Sequence, residues 1–363
     1  MPFQIIRSDI TKVKVNVIVN TANPYPVIGS GTDSAVYHVA GEQKLLAERK
    51  KIGNIAPGQV AVTPAFKLPA KYIIHTVGPV WEDGNHGERD ILRSCYEKSL
   101  NKAVELKAES IAFPLIATGV YGFPKDEALN IALAEIGKFL LTNDMKVILV
   151  VFDRKAFELS SQLVGDIDEF IDDHGVLIAR ETEYGSGMDR LERRRMELTS
   201  VLADEELYHR RTELIDVEEE LFDGASAPIA PMSTPYMDMG NESLDDMLQN
   251  TGDTFQQKLF QLIDASGMDD VTVYKKANID RKVFSRIRCK EDYKPKKKTA
   301  VAFAIALQLD MPTMLDLLSR AEIAFSPSNK FDLIITYFVT HGIYDIFEIN
   351  AALFKYGQPI LGE

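Results

Sequence analysis

A chain of 363 residues, 45% apolar and 26% charged, has the composition of a globular protein with room for more than one core, which excludes fibrous, collagenous and wholly disordered classes. Its formal charge of −13 argues against a uniformly basic nucleic-acid coat while leaving room for a local basic patch. Two separated cysteines, Cys95 and Cys289, supply neither a disulfide framework nor a thiolate zinc site.

The start, MPFQIIRSDI, has no basic segment leading into an apolar run, and the longest apolar stretches are too short to span a bilayer, so a cytoplasmic, reducing location is expected. From residue 3 to about 175, short β-rich runs at 3–7, 13–20, 59–63, 72–77, 110–114 and 146–152 alternate with helical periodicity at 33–51, 88–107, 124–142 and 154–173. That alternation predicts a three-layer α/β/α sandwich around a mixed, mostly parallel sheet in residues 1–175. Residues 176–253 read as a charged helical segment, with Leu191 and Leu198 and then Leu207, Leu214 and Leu221 seven apart, followed by a flexible acidic linker rich in Gly, Ser, Pro and Asp. Residues 254–363 return to helical periodicity in short segments punctuated by Gly267, Asn278, Pro295, Pro312, Pro327 and Gly342, which predicts a separate all-α domain.

The residues with chemistry gather after the predicted strands. Asn20 and Asn23 follow an apolar run, at the strand end where open α/β sheets place ligands. Two glycine loops, Gly29-Ser30-Gly31 and Thr118-Gly119-Val120-Tyr121-Gly122, each precede a helix and let backbone N–H groups approach an anion. Asp33 either caps the helix that starts at Ser34 or presents a carboxylate for acid–base work, and Asp9 in SDIT suits a cap or an acceptor for an exocyclic amine. Tyr121 and Phe123 are offered to a ligand or to core packing. His75, inside YIIHTVGP, reads as a core histidine, and the polar loop holding Trp81, Glu82, Asp83, His86 and Glu88 has no recognised metal-ligand spacing, so no metal and no cofactor is expected.

SDIT, NTAN, GSGTD, HTVGP and FPLIATGVYGFP, in this order and spacing, resemble the macro domain family across residues 1–175, and most of all its MacroD-type branch. The resemblance implies an ADP-ribose site formed by Asp9, Ile10, Asn20, Asn23, Gly29, Ser30, Gly31, Thr118, Gly119, Val120, Tyr121, Gly122 and Phe123. It further implies adenine at Asp9, the distal ribose at Asn23, and hydrolysis assisted by Asp33 with Asn23. The activity expected is removal of ADP-ribose from acidic side chains of proteins or deacetylation of O-acetyl-ADP-ribose. The alternatives are a non-catalytic ADP-ribose reader or a regulator sensing an NAD metabolite. Ile28 and Ser30 stand where the branch usually has glycines, and Ala117 stands where it commonly has Ser.

Residues 254–321 resemble the Xre-type helix-turn-helix family, with Ala277, Ile279, Phe284 and Ile287 at its apolar positions. Asp280 is expected to cap a recognition helix with Arg281, Lys282, Ser285, Arg286 and Arg288 outward as candidate nucleic-acid contacts. Eleven basic residues stand against three acidic ones between Lys275 and Lys298, a charge that attracts phosphate. Asp269 and Asp270 occupy positions where that family usually presents Thr and Gln to DNA, so DNA and protein docking both remain partners for this region.

Overall fold

The computed structural model describes residues 2–152, 159–184, 252–290 and 292–362. The leucine repeat and most of the acidic linker lie outside the described residues. Six strands, β1 (Phe3–Arg7), β2 (Val17–Thr21), β3 (Val60–Pro64), β4 (Tyr72–Thr76), β5 (Ser110–Pro114) and β6 (Lys146–Val151), form one sheet in the order β1-β6-β5-β2-β4-β3. Every pairing is parallel except β3 with β4, so five strands deliver their following loops to the same edge. Alternation along each strand fills both faces. Val17, Val19, Phe113 and Leu149 join one core with α3 (Glu88–Glu105) and α4 (Lys125–Thr142). Ile18, Ala112 and Ile148 join the other with α1 (Thr32–Ala40) and α2 (Glu42–Ile52). Each fully buried aliphatic or aromatic side chain in these layers contributes roughly 1.5–3 kcal/mol of transfer free energy.

Three segments differ from the sequence-based expectation. The single helix expected over 33–51 is two, because Gly41 at φ 105° turns the chain out of helical geometry between α1 and α2. The run 13–20 becomes strand only at Val17, where partners on β4 and β5 begin; Val13 and Val15 are buried without sheet pairing, behind a 3-10 turn over Ile10–Lys12. The helix expected over 154–173 is described from Ser161, as α5 (Ser161–Tyr184); residues 153–158 lie outside the described residues.

Seven helices follow: α6 (Phe255–Ser266), α7 (Asp270–Lys276), α8 (Arg281–Cys289), α9 (Lys297–Ala306), α10 (Met311–Ser319), α11 (Lys330–Thr340) and α12 (Ile346–Lys355). Side-chain caps start six of them: Thr254 in a capping box with Gln257, then Asp269, Asp280, Asp310, Asn329 and Asp345. Pro312 does not interrupt this region but sits in the first turn of α10, where its missing N–H has no partner to lose. Val301 to Ala306 are buried on every side, which makes α9 the centre of the bundle.

Residues 1–175 and 253–363 form one compact unit. Asn278 faces the outer edge of β1, accepting from the Phe3 amide at 2.8 Å and donating to the Phe3 carbonyl at 3.1 Å. The Phe347 ring meets Phe3 edge-on at 5.2 Å, and the Tyr356 hydroxyl donates to Asp168 at 2.8 Å. Leu361 is tied back through Asn278 and Asn350. Among the described residues no helix is long and apolar enough to cross a membrane.

Candidate functional site

β2 and β5 are neighbours, so the loops that leave their C-terminal ends, residues 22–31 and 115–124, lie side by side and lead into α1 and α4. Both helices start without a side-chain cap, at Gly31 and Pro124, and so leave first-turn N–H groups toward the loops. The loop after β4 is tied to the second of these by the Trp81 amide, which donates to the Tyr121 carbonyl at 2.8 Å. Ala117 holds a left-handed backbone at φ 64°, a conformation costing a non-glycine residue about 1–2 kcal/mol and concentrated at functional loops.

Asp33 is not the cap of a helix starting at Ser34. It sits inside the first turn of α1, 2% exposed, with Oδ2 accepting from the Gly29 amide at 2.6 Å and Oδ1 from Asn20 Nδ2 at 2.5 Å. Burial pulls its pKa up, against the Asn20 and Gly29 hydrogen bonds and the charge of Arg49, which favour the carboxylate. These two bonds use two of the roughly four lone-pair sites of a carboxylate, so acceptor capacity remains for a ligand or a water. Tyr37, one turn further along α1, is pushed up to about 12 by burial and by Asp33. Tyr121, in the neighbouring loop, is raised by burial and again by Asp33. The acid therefore acts electrostatically on its own helix and on the neighbouring loop.

Asn23 takes the Tyr25 amide on Oδ1 at 3.0 Å, an Asx turn that leaves its amide N–H groups as donors at the loop. Ser30 and Gly31 are exposed, as are Gly119 and Val120, so this pair of loops presents backbone to solvent. Thr118 hydrogen-bonds the Leu115 carbonyl. Phe123 takes the core role: it is 2% exposed and packs edge-on against Trp81 at 4.6 Å, while Tyr121 is half-buried. At the β1 end, Asp9 caps the 3-10 turn through Oδ1, accepting from the Thr11 amide at 2.9 Å and its hydroxyl at 2.7 Å; Ile10 is buried beneath it. Oδ2 of Asp9 takes neither bond.

Three residues were absent from the sequence-based site. Phe152 follows β6 at 77% exposure, at the same sheet edge as Asp9, because Arg7 and Val151 are register partners. A large aromatic left in solvent beside a free acceptor is the signal that finds it. Arg49, 1% exposed, forks onto the carbonyls of Gly53 at 2.5 Å and Asn23 at 3.1 Å, holding the base of the first loop. Trp81 lies under Arg89, whose guanidinium sits 5.3 Å from its ring and pairs with Glu127 on α4 at 2.7 Å.

Asp83, His86 and Glu88 bring ligand-type atoms within 4.8 Å of one another. Glu88, however, accepts the amides of Glu82, Gly84 and His86, and although burial works the other way these bonds hold its carboxyl at about 2. It closes the 82–87 loop.

In the helical region Asp280 caps α8 through the Lys282 amide, and Val283, Phe284 and Ile287 are buried. Arg281, Lys282, Ser285 and Arg286 are exposed on α8. Arg288 is committed elsewhere, to the carboxylate of Asp270 and over the ring of Phe260 at 5.1 Å. Asp269 caps α7 rather than facing outward unpaired.

With that geometry in place, the comparisons with known proteins define the class. The Macro domain family model matches residues 19–132. A macro domain-containing protein of Methanosarcina mazei is 44% identical over 153 residues, covering 42% of this chain and 81% of that one. The O-acetyl-ADP-ribose deacetylase of Citrobacter rodentium is 40% identical over 165 residues, covering 44% of this chain and 93% of that one. A solved Oceanobacillus iheyensis macrodomain with ADP is 38% identical at a TM-score of 0.42, covering 46% of this chain and 90% of that one. The chain belongs to the macro domain family.

Proposed function

We propose that this protein binds ADP-ribose between the 22–31 and 115–124 loops and hydrolyses it from acidic side chains of proteins, or cleaves the ester of O-acetyl-ADP-ribose, as a MacroD-type enzyme. The observation that carries this reading is the buried carboxylate of Asp33 at the base of two adjacent loops whose helices begin with uncapped N–H groups. The 40% identity to a relative named for O-acetyl-ADP-ribose deacetylation supports it. In this reading, exposed Phe152 stacks the adenine while Asp9 Oδ2 accepts its amine, the diphosphate lies against Ser30-Gly31 and Thr118–Gly122, and Asn23 donates to the distal ribose. Asp33 stabilises positive charge developing at the ribosyl carbon or orients the attacking water.

Calorimetric titration of ADP-ribose into the full chain, followed by hydrolysis assays on the same sample, tests it. One-site binding with product release is the expected result, and no binding overturns it. An Asp33→Asn protein is expected to lose turnover by at least about 10²-fold.

A second reading, an ADP-ribose reader without turnover, is favoured by the two short hydrogen bonds that already occupy Asp33. Tight binding without product identifies it. Nucleic-acid binding through the helix-turn-helix-like residues 254–321 rests on the exposure of Arg281, Lys282, Ser285 and Arg286. Its test is a binding constant that falls steeply with salt.

A further inference from the structure

Behind Asp33 runs a line of buried polar groups that the proposed chemistry does not use. Asn20 and His75 are register partners on β2 and β4, and both are fully buried. Asn20 Nδ2 lies 2.5 Å from Asp33 Oδ1 and 3.1 Å from His75 Nδ1, and His75 Nε2 lies 2.9 Å from Thr63 Oγ1 on β3.

The donors in this line are determined by chemistry. An amide nitrogen has two hydrogens and no accepting lone pair, so one hydrogen goes to Asp33 and the other to His75 Nδ1. The imidazole must then be neutral, protonated on Nε2 and donating to Thr63. Burial and the charge of Arg49 keep it so, lowering its pKa to about 3. Asn20 Oδ1, in contrast, is buried with no partner. An amide free to choose would not leave its acceptor bare, so its orientation is imposed by its two neighbours.

We propose that His75 is a positioning residue: through Asn20 it fixes the seat of Asp33, and through Asp33 the Gly29 amide and the loop that carries Asn23 and Ser30. Turning the Asn20 amide over would bring its oxygen against the carboxylate and push Asp33 off the Gly29 amide. A Cβ at Gly29 would stand 3.0 Å from Asp33 Oδ2, so the carboxylate packs directly against the loop backbone at this glycine. The charged and titratable groups coupled to Asp33 are Arg49 on α2, Tyr37 on its own helix and Tyr121 in the neighbouring loop, and none of them supplies the hydrogen bond that Asn20 gives.

The loop half of this inference stands on the apo protein, and its consequence for catalysis rests on the ADP-ribose reading above. In the full chain, 15N NMR of His75 is expected to show a protonated Nε2 and an unprotonated, hydrogen-bonded Nδ1; a protonated Nδ1 overturns the proposal. In His75→Phe, amide exchange at Gly29 should quicken by at least about tenfold, the equivalent of one charge-assisted hydrogen bond, at unchanged exchange in β5 and β6. His75→Asn, whose side-chain oxygen takes the place of Nδ1, should recover most of that protection. Wild-type protection of Gly29 in folded His75→Phe defeats the inference whatever the ligand results. Should the wild-type chain fail to bind ADP-ribose while Gly29 responds as stated, only the reading of function falls. Where turnover is present, His75→Phe should raise KM and lower kcat together, with Asn restoring both.

Discussion

At the scale of single residues, the site places an acid, a base and a guanidinium in one buried space. Arg49 spends its donors on the carbonyls of Gly53 and Asn23 rather than on Asp33, so its charge acts on the acid through space. The same charge helps hold His75 neutral. His75 falls from an ordinary 6.5 to about 3 in the fold, so between those values the unfolded chain binds a proton that the native one refuses. Stability contributed by neutral His75 is therefore complete above pH 6.5 and is lost as pH falls toward 3. Asp33 works in the opposite sense, because a carboxyl raised above 3.8 in the fold favours the native state as it is protonated. Comparison with His75→Asn isolates the histidine. Between pH 6 and 4, the wild-type free energy of unfolding is expected to drop relative to that variant by up to about 1.4 kcal/mol per pH unit, measured by urea titration. Parallel pH profiles for the two proteins would show that His75 is protonated in the fold.

At the scale of elements, five of the six strands begin within one residue of where alternation places them, because buried β-branched runs between turn residues have few other readings. The two glycine loops were legible because each lies between a strand and a helix that the pattern also places, β2 with α1 and β5 with α4, although β2 starts four residues later than expected. What lies across the sheet was not. Arg49 sits in the run AERKKI, which looks like a solvated helix face, and only the carbonyls of a distant loop explain its burial. The Asn20 to His75 pairing depends on strand order, which local pattern does not contain. The contact of α4 with α12 was equally hidden. An added Cβ at Gly137 would stand 3.0 Å from the Phe347 ring, which is itself held against Phe3. Gly137→Ala therefore sets a helix-propensity gain of about 1 kcal/mol against overpacking of about 1–3 kcal/mol. With Phe347 braced, overpacking wins, and a net loss of stability is expected in chemical denaturation. Phe347→Leu in the same chain should reverse the sign, and a stabilised single Gly137→Ala would mean the ring moves freely.

At the scale of the molecule, the helical region covers what the sheet would otherwise leave open. β1 pairs only with β6, and its outer N–H and C=O at Phe3 would be exposed edge groups, a template for pairing with another chain. Asn278 takes both, using the left-handed backbone at φ 53° that asparagine tolerates better than most residues. The turn between α7 and α8 thus reads a strand edge. Beside it lies a cavity of about 320 Å³ lined by Arg281 and Lys282 and by Glu109, Asp144 and Lys146 of the α/β layer, with Lys275 paired to Asp144 at 3.4 Å. The apolar core runs without a break from β1 through Phe347 into α9. The two regions are accordingly expected to unfold together. Trp81, the single tryptophan, reports the α/β layers, and a fluorophore coupled to exposed Cys289 at the end of α8 reports the helical region. Their urea transitions should coincide, and two separate midpoints would mark independent domains. Asn278→Gly keeps the backbone conformation but removes the hydrogen bonds to Phe3 and Leu361 and leaves buried groups unpaired, so both transitions should shift by the same 2–4 kcal/mol, approximately. A shift confined to the Cys289 signal would mean that the β1 edge does not depend on the helices that cover it.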